Sequence, residues 1–209
     1  LCAWEGKSGC FRTYQARNGM KLENIVHLAK ANDGGIWITP HHYDPIYFDS
    51  RSHRFTSLSD MGIQLDCRSN LCAFADGDLL YVGHYRGGMS IIDLKKKTTR
   101  RMLHDPSVPQ SLPGHSVYSL YKDRLGHLWV GTEWGLGLLD SSTGRFTVFR
   151  HVPGRISSLV ADRVYDICET ADGKLWIACD VGGISILDLS QITFKHPEEV
   201  CFENLLSAV

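Results

Sequence analysis

The sequence repeats itself four times, and no other feature limits the fold as strongly. The segments Ile36-Trp37-Ile38-Thr39, Leu80-Tyr81-Val82-Gly83, Leu128-Trp129-Val130-Gly131 and Leu175-Trp176-Ile177-Ala178 place their aromatic residues 44, 48 and 47 positions apart. A turn precedes each one: Asn32-Asp33-Gly34, Ala75-Asp76-Gly77, Arg124-Leu125-Gly126 and Ala171-Asp172-Gly173. Asp-Gly between apolar runs signals a tight turn, because glycine accepts the positive φ such turns need. After each aromatic comes an apolar pair and an aspartate, ending at Asp49, Asp93, Asp140 and Asp188. Six residues later stand Phe55, Thr99, Phe146 and Phe194, and six residues before the turn glycines stand Leu28, Leu71, Leu120 and Ile167.

Each unit therefore reads as four short strands, A to D. They are rich in β-branched and aromatic residues and separated by turn residues. No long apolar pattern of helical period intervenes. One such sheet cannot bury both of its faces, so repeats of this length bury them by stacking on one another. The predicted fold is all-β: a β-propeller segment of four-stranded antiparallel blades, about four and a half in number. Trp4-Glu5 with Gly9-Cys10-Phe11 aligns with Leu139-Asp140 and Gly144-Arg145-Phe146. Residues 1–23 thus read as strands C and D of a preceding blade. Blades follow at 24–60, 61–110, 111–157 and 158–195, and 196–209 reads as an irregular tail or the start of a next blade. Such a segment is expected to be part of a larger propeller, its open faces covered by further blades or by a second copy.

Trp37, Tyr81, Trp129 and Trp176 recur too regularly to be ligand contacts, and their expected role is packing between blades. The four repeated aspartates are expected to bond turn amides after strand C. Cys72 and Cys168 stand equally far from their turn glycines and read as small buried hydrophobes. The seven cysteines include no C-x-x-C spacing, so neither a zinc nor a redox site is indicated. The net charge of −1 argues against a nucleic-acid surface. The run Lys95-Lys96-Lys97 falls in a predicted turn, and no apolar stretch approaches the roughly 20 residues that span a bilayer.

The pattern Val117-x-x-Leu120, Gly126-x-Leu128-Trp129-Val130-Gly131-Thr132, Gly135-Leu136, Leu139-Asp140, Gly144-Arg145-Phe146 resembles the two-component regulator propeller repeat. Residues 164–194 resemble it nearly as well, and Ser111-Leu112 and Ser158-Leu159 resemble its inter-blade linker. The first two copies depart from it at Thr39-Pro40 and Tyr81. The resemblance implies the periplasmic sensor region of a hybrid two-component regulator, common in gut Bacteroidetes. It further implies sensing of glycan-derived oligosaccharides and control of transcription through kinase, receiver and DNA-binding domains outside this chain.

In a propeller the B–C and D–A connections emerge on one face, where loops vary on a rigid frame. The B–C loops supply the candidate ligand residues: His41, His42 and Tyr43; His84, Tyr85 and Arg86; Glu133 and Trp134; and Asp180. Aromatic rings beside ionic groups suit a sugar, which offers an apolar ring face and many hydroxyls. His41, His42 and His84 lack the spacing of a metal site, and no catalytic motif or cofactor signature is present. Two alternatives stay open: a propeller enzyme, such as a lyase or glycosidase using Glu133 and Asp180, and a protein-interaction scaffold.

Overall fold

The computed structural model describes residues 1–209 apart from 7–8, 15, 17–19, 21, 193–198 and 207–209. A hairpin of β1 (Cys2–Glu5) and β2 (Cys10–Thr13) comes first. The first full blade holds β3 (Ile25–Lys30), β4 (Ile36–Pro40), β5 (Ile46–Asp49) and β6 (Arg54–Ser57). The second holds β7 (Asn70–Asp76), β8 (Leu79–His84), β9 (Met89–Asp93) and β10 (Thr98–Met102). The third holds β11 (Val117–Lys122), β12 (Leu128–Thr132), β13 (Gly135–Asp140) and β14 (Arg145–Phe149). The fourth holds β15 (Val164–Glu169), β16 (Lys174–Cys179), β17 (Gly183–Asp188) and β18 (Phe202–Leu206). Every sheet is an antiparallel meander in chain order, and among the described residues there is no α-helix.

The first strands lie side by side, β3 on β7, β7 on β11 and β11 on β15, so the sheets stack radially. Three apolar clusters fill the gaps between sheets. Trp37 joins Leu65, Ala73 and Leu80 of the next unit. Tyr81 joins Leu112, Val117 and Val130. Trp129 joins Leu159, Val164 and Ile177. Leu65, Leu112 and Leu159 each stand five residues before their blade's first strand and are buried. These linker leucines plug the wedge that opens between twisted sheets.

Close approach explains the glycine two places past the aromatic. A Cβ on Gly131 would come 2.8 Å from Val164, and one on Gly83 would come 2.7 Å from Val117. Both distances are too short for a Cβ without movement of its neighbours, so in these two blades the next first strand packs directly on glycine, while the first and fourth blades carry Thr39 and Ala178 at that place.

The repeated aspartates cap the C–D turns, as the sequence predicts. Asp140 accepts from the Ser142 amide (2.9 Å), the Ser142 hydroxyl (2.6 Å) and the Thr143 hydroxyl (2.7 Å). These bonds hold its carboxyl down at about 2. Asp49, Asp93 and Asp188 accept turn amides likewise. Four residues past the aspartate the chain turns left-handed at His53, Lys97 and Gly144, with φ of 57°, 57° and 72°.

The fourth blade breaks this rule, and strand D is not where the repeat predicts it. Position 192 is isoleucine at φ −74°, and a β-branched residue resists the left-handed region. A short 3-10 turn, Leu189–Gln191, follows Asp188 instead of a tight hairpin. Phe194 lies outside the described residues. Strand D is β18, drawn from the segment expected to be an irregular tail. Leu187 faces Phe202, just as Leu139 faces Phe146 and Phe48 faces Phe55. Phe202 thus fills the strand-D aromatic position.

The second blade holds another difference. Lys122 pairs with Leu128 across a five-residue turn, while Asp76 pairs with Leu79 across two residues. Counting back from the glycine therefore misplaces Leu71 and Cys72. Ala73, facing Val82, is the counterpart of Leu120, which faces Val130. Cys72 is buried, but Cys168 faces Trp176 and is exposed, so the two cysteines do not share a position.

Trp129 is fully buried and its indole N–H donates to Asp123 (2.8 Å). Trp129→Ala is expected to cost about 3–5 kcal/mol. Trp134→Ala, in a loop of the same blade, is expected to cost under about 1 kcal/mol. Urea unfolding of both variants checks the contrast.

Candidate functional site

Strand A begins where strand B ends, as Val117 opposite Thr132 shows. The D–A and B–C connections therefore share one face of the stacked blades. Each inner strand opens with a register shift, at Ile25/His27, Asn70/Cys72, Val117/Ser119 and Val164/Asp166. The extra residues are Val26, Leu71, Tyr118 and Tyr165. Such bulges redirect side chains at the rim of a sheet. The Tyr118 and Tyr165 rings meet at 5.3 Å and 61°.

On this face a cleft of about 430 Å³ runs across blades two to four. Tyr85 and Arg86 come from the β8–β9 loop, and Glu133 and Trp134 from the β12–β13 loop. His115, Ser116, Tyr118 and Arg163 complete it from the D–A side. Trp134 is 43 % exposed, yet its place is fixed. Its amide donates to Thr132 Oγ1 (3.2 Å) and its carbonyl accepts from Arg150. Its indole packs edge-on against the rings of His115 (5.1 Å) and His104 (5.3 Å). Arg150 also donates to the Pro113 carbonyl, tying this loop to the preceding connection. An aromatic surface held from several sides is ordered before a ligand arrives, which lowers the entropic cost of binding.

Glu133 does structural work in this cleft. Its two carboxylate oxygens accept the amides of His115 (3.0 Å) and Ser116 (2.7 Å). The Ser116 hydroxyl in turn accepts the Arg86 amide at 3.0 Å. Arg163 is paired with Asp180 at 2.8 Å.

The nine residues singled out from the sequence separate into three groups. Tyr85, Arg86, Glu133 and Trp134 line the cleft, and Asp180 borders it through Arg163. His41, His42 and Tyr43 lie elsewhere, against the first and second blades. His41 Nδ1 lies 2.7 Å from the Asn70 carbonyl, and the two histidine rings meet edge-on at 4.2 Å. Tyr43 donates to Glu23 at 3.2 Å. His84 is a correction: it is 0 % exposed and ends strand β8 rather than joining the loop. It stands three places past Tyr81, as Thr132 does past Trp129, and that spacing was available in the sequence. The B–C loops do not contain His115, Ser116, Tyr118 or Arg163, which reach the same face from the D–A connections and the start of β11. Among the described residues no group of three or more metal-ligating side chains gathers.

His84 Nε2 sits 2.8 Å from Ser90 Oγ. Burial, and then the charge of Arg101, push its imidazole down to about 4 from the ordinary 6.5. The folded protein keeps it neutral while the unfolded chain protonates it. Its contribution to stability is therefore whole above about 6.5 and falls as pH drops toward about 4. His84→Asn is expected to reduce the pH slope of stability in that window by up to about one proton. Urea unfolding of both proteins from pH 7 to 4 measures the difference.

Residues 111–134 and 158–180 match the family model of the two component regulator propeller. Among solved structures the chain is similar to the extracellular domain of a hybrid two component system from B. thetaiotaomicron. The identity is 27% and the TM-score 0.78, over 100% of this chain and 26% of that one. The chain thus spans about a quarter of that relative's length. The propeller domain of Cps50 (Swd1) from Myceliophteria thermophila is 14% identical, with a TM-score of 0.67 over 97% of this chain and 64% of that one. PorZ, a surface component of the type-IX secretion system of Porphyromonas gingivalis, is 16% identical, with a TM-score of 0.64 over 86% and 29%. These last two likenesses concern the fold alone. No curated protein matches the chain. No helix is long and apolar enough to cross a membrane among the described residues. With four radially stacked blades, this chain is a stretch of β-propeller, and residues 111–134 and 158–180 of its third and fourth blades match the two component regulator propeller model.

Proposed function

We propose that this chain is the ligand-sensing part of an extracytoplasmic sensor propeller, and that the cleft across blades two to four takes an oligosaccharide. The observation that carries the reading is the cleft itself. Tyr85, Tyr118 and Trp134 line it beside two guanidinium groups, and the loops that hold them are braced by Glu133, Ser116 and Arg150. A pyranose ring buries its apolar face on an indole or phenol, and its hydroxyls bond to charged and backbone groups at the rim. The similarity to the extracellular domain of a hybrid two component system supports the sensor role. Signal output then belongs to kinase and transcription-regulating domains outside this chain.

Glu133 does not favour the alternative of a propeller hydrolase. Both its oxygens are bonded to backbone amides, which leaves it poorly placed as a general acid.

Calorimetric titration of the 209-residue chain with a panel of plant and host oligosaccharides tests the reading. At least one member is expected to bind. Trp134→Ala should then weaken binding tenfold or more, a loss of about 1.4 kcal/mol, with thermal stability nearly unchanged. A panel without binders, or a binder indifferent to Trp134→Ala and Tyr85→Ala, would remove the proposal.

A further inference from the structure

The cleft's charges are not equally available to a ligand. Its lining holds two guanidinium groups, Arg86 and Arg163, and one carboxylate, Glu133. Glu133 is turned onto the amides of His115 and Ser116 at 3.0 and 2.7 Å. Arg163 is taken up by Asp180. Arg86 differs. Among the described residues no carboxylate lies within ion-pair distance of it, and its guanidinium carbon rests 5.4 Å from the Tyr85 ring centroid.

The backbone at Arg86 points the same way. Its φ is +52°, a left-handed conformation that glycine adopts freely and arginine does not. The next two residues are glycines, and Gly88 also has a positive φ of 70°. The loop is pinned there, because the Arg86 amide donates to the Ser116 hydroxyl, and Ser116 is itself held by Glu133. Arg86 is thus an exposed cation, without a carboxylate partner among the described residues, on the wall of an aromatic cleft.

We infer that the cleft selects an anionic oligosaccharide, whose carboxylate or sulfate pairs with Arg86 while a sugar ring stacks on Trp134 or Tyr85. The inference rests on the proposed ligand role of the cleft. A guanidinium offers two parallel N–H donors that match either oxyanion. Tyr85 beneath the guanidinium holds it in place and limits its freedom before binding. The pair is near the surface, so salt should weaken it.

The test uses the 209-residue chain and three sets of probes matched in length: neutral xylo-oligosaccharides, oligogalacturonides and sulfated galacto-oligosaccharides. Acidic probes are expected to bind at least tenfold more tightly than neutral ones, with the margin shrinking at about 0.5 M salt. The stronger of the two acidic sets identifies the oxyanion. Arg86→Gly should erase the acidic preference while the melting temperature stays level or rises, because glycine relaxes the left-handed backbone. Arg86→Lys should restore part of the preference. Equal affinity for neutral and acidic probes overturns this inference alone and leaves the cleft a sugar site. Persistence of the acidic preference in Arg86→Gly also overturns it. Absence of binding by any probe removes both the inference and the reading beneath it.

Discussion

The face-to-face contact between one blade's aromatic strand and the next blade's first strand supports everything else in this protein. Trp129 is closed in by Leu159, Val164 and Ile177, none of them from its own blade. A single four-stranded sheet leaves that indole wet. Stacking removes it from water, and burying an aromatic side chain of this size contributes about 2–3 kcal/mol through lost apolar surface. The contact also demands thin backbone beside it, which is why Gly83 and Gly131 stand where Val117 and Val164 approach. Each blade is stable because its neighbour is present, and the axis of the fold follows from that dependence.

The rim is free to vary because this packing does not use it. Strand ends are fixed in space by the sheets, so loops of different lengths and chemistries can be exchanged among blades without moving the core. The cleft is built from such exchanges. The second blade offers Tyr85 and Arg86, the third offers Glu133 and Trp134, strand β11 adds Tyr118 and the connection before β15 adds Arg163. Hydrogen bonds across neighbouring connections then convert loose loops into a firm wall. Glu133 on Ser116, Ser116 on Arg86, and Arg150 on both Trp134 and Pro113 form one connected set. A cleft made this way belongs to no single repeat, so copying one blade would not copy it.

The places where expectation and structure part have local causes. Phe202 replaces Phe194 as the strand-D aromatic because Ile192 cannot turn left-handed where Gly144 does. The signal was present, since the fifth residue counting from the aspartate is His53, Lys97 and Gly144 in the other blades and isoleucine in this one. Leu71 matches Leu120 by its distance from the turn glycine but not in space, because the second blade's A–B turn is two residues rather than five. His84 reads as a loop residue in the sequence, but strand β8 runs through it and burial pushes its imidazole down. In each case the apolar repeat was legible and the turn geometry shifted the register around it.

The sequence by itself determined the four-stranded unit and three of its packing aromatics, Trp37, Tyr81 and Trp129, whereas Trp176 of the fourth blade is only half-buried and joins none of the apolar clusters. Those features recur, and each recurrence answers the same local need for a buried ring, a positive φ or a capped turn. It also pointed to the face that carries the variable loops. Only the tertiary structure decided which loop residues meet. Tyr85 and Trp134 are 49 positions apart, and they share a cleft because blades two and three are neighbours around the axis. His41 and His42, on the same face, lie apart from it. Whether Glu133 faced a ligand or the Ser116 amide, and whether Arg86 found a partner, depended on atoms brought in by the adjacent blade. A linear pattern encodes what each blade needs for itself, and the site arises from what neighbouring blades do to one another.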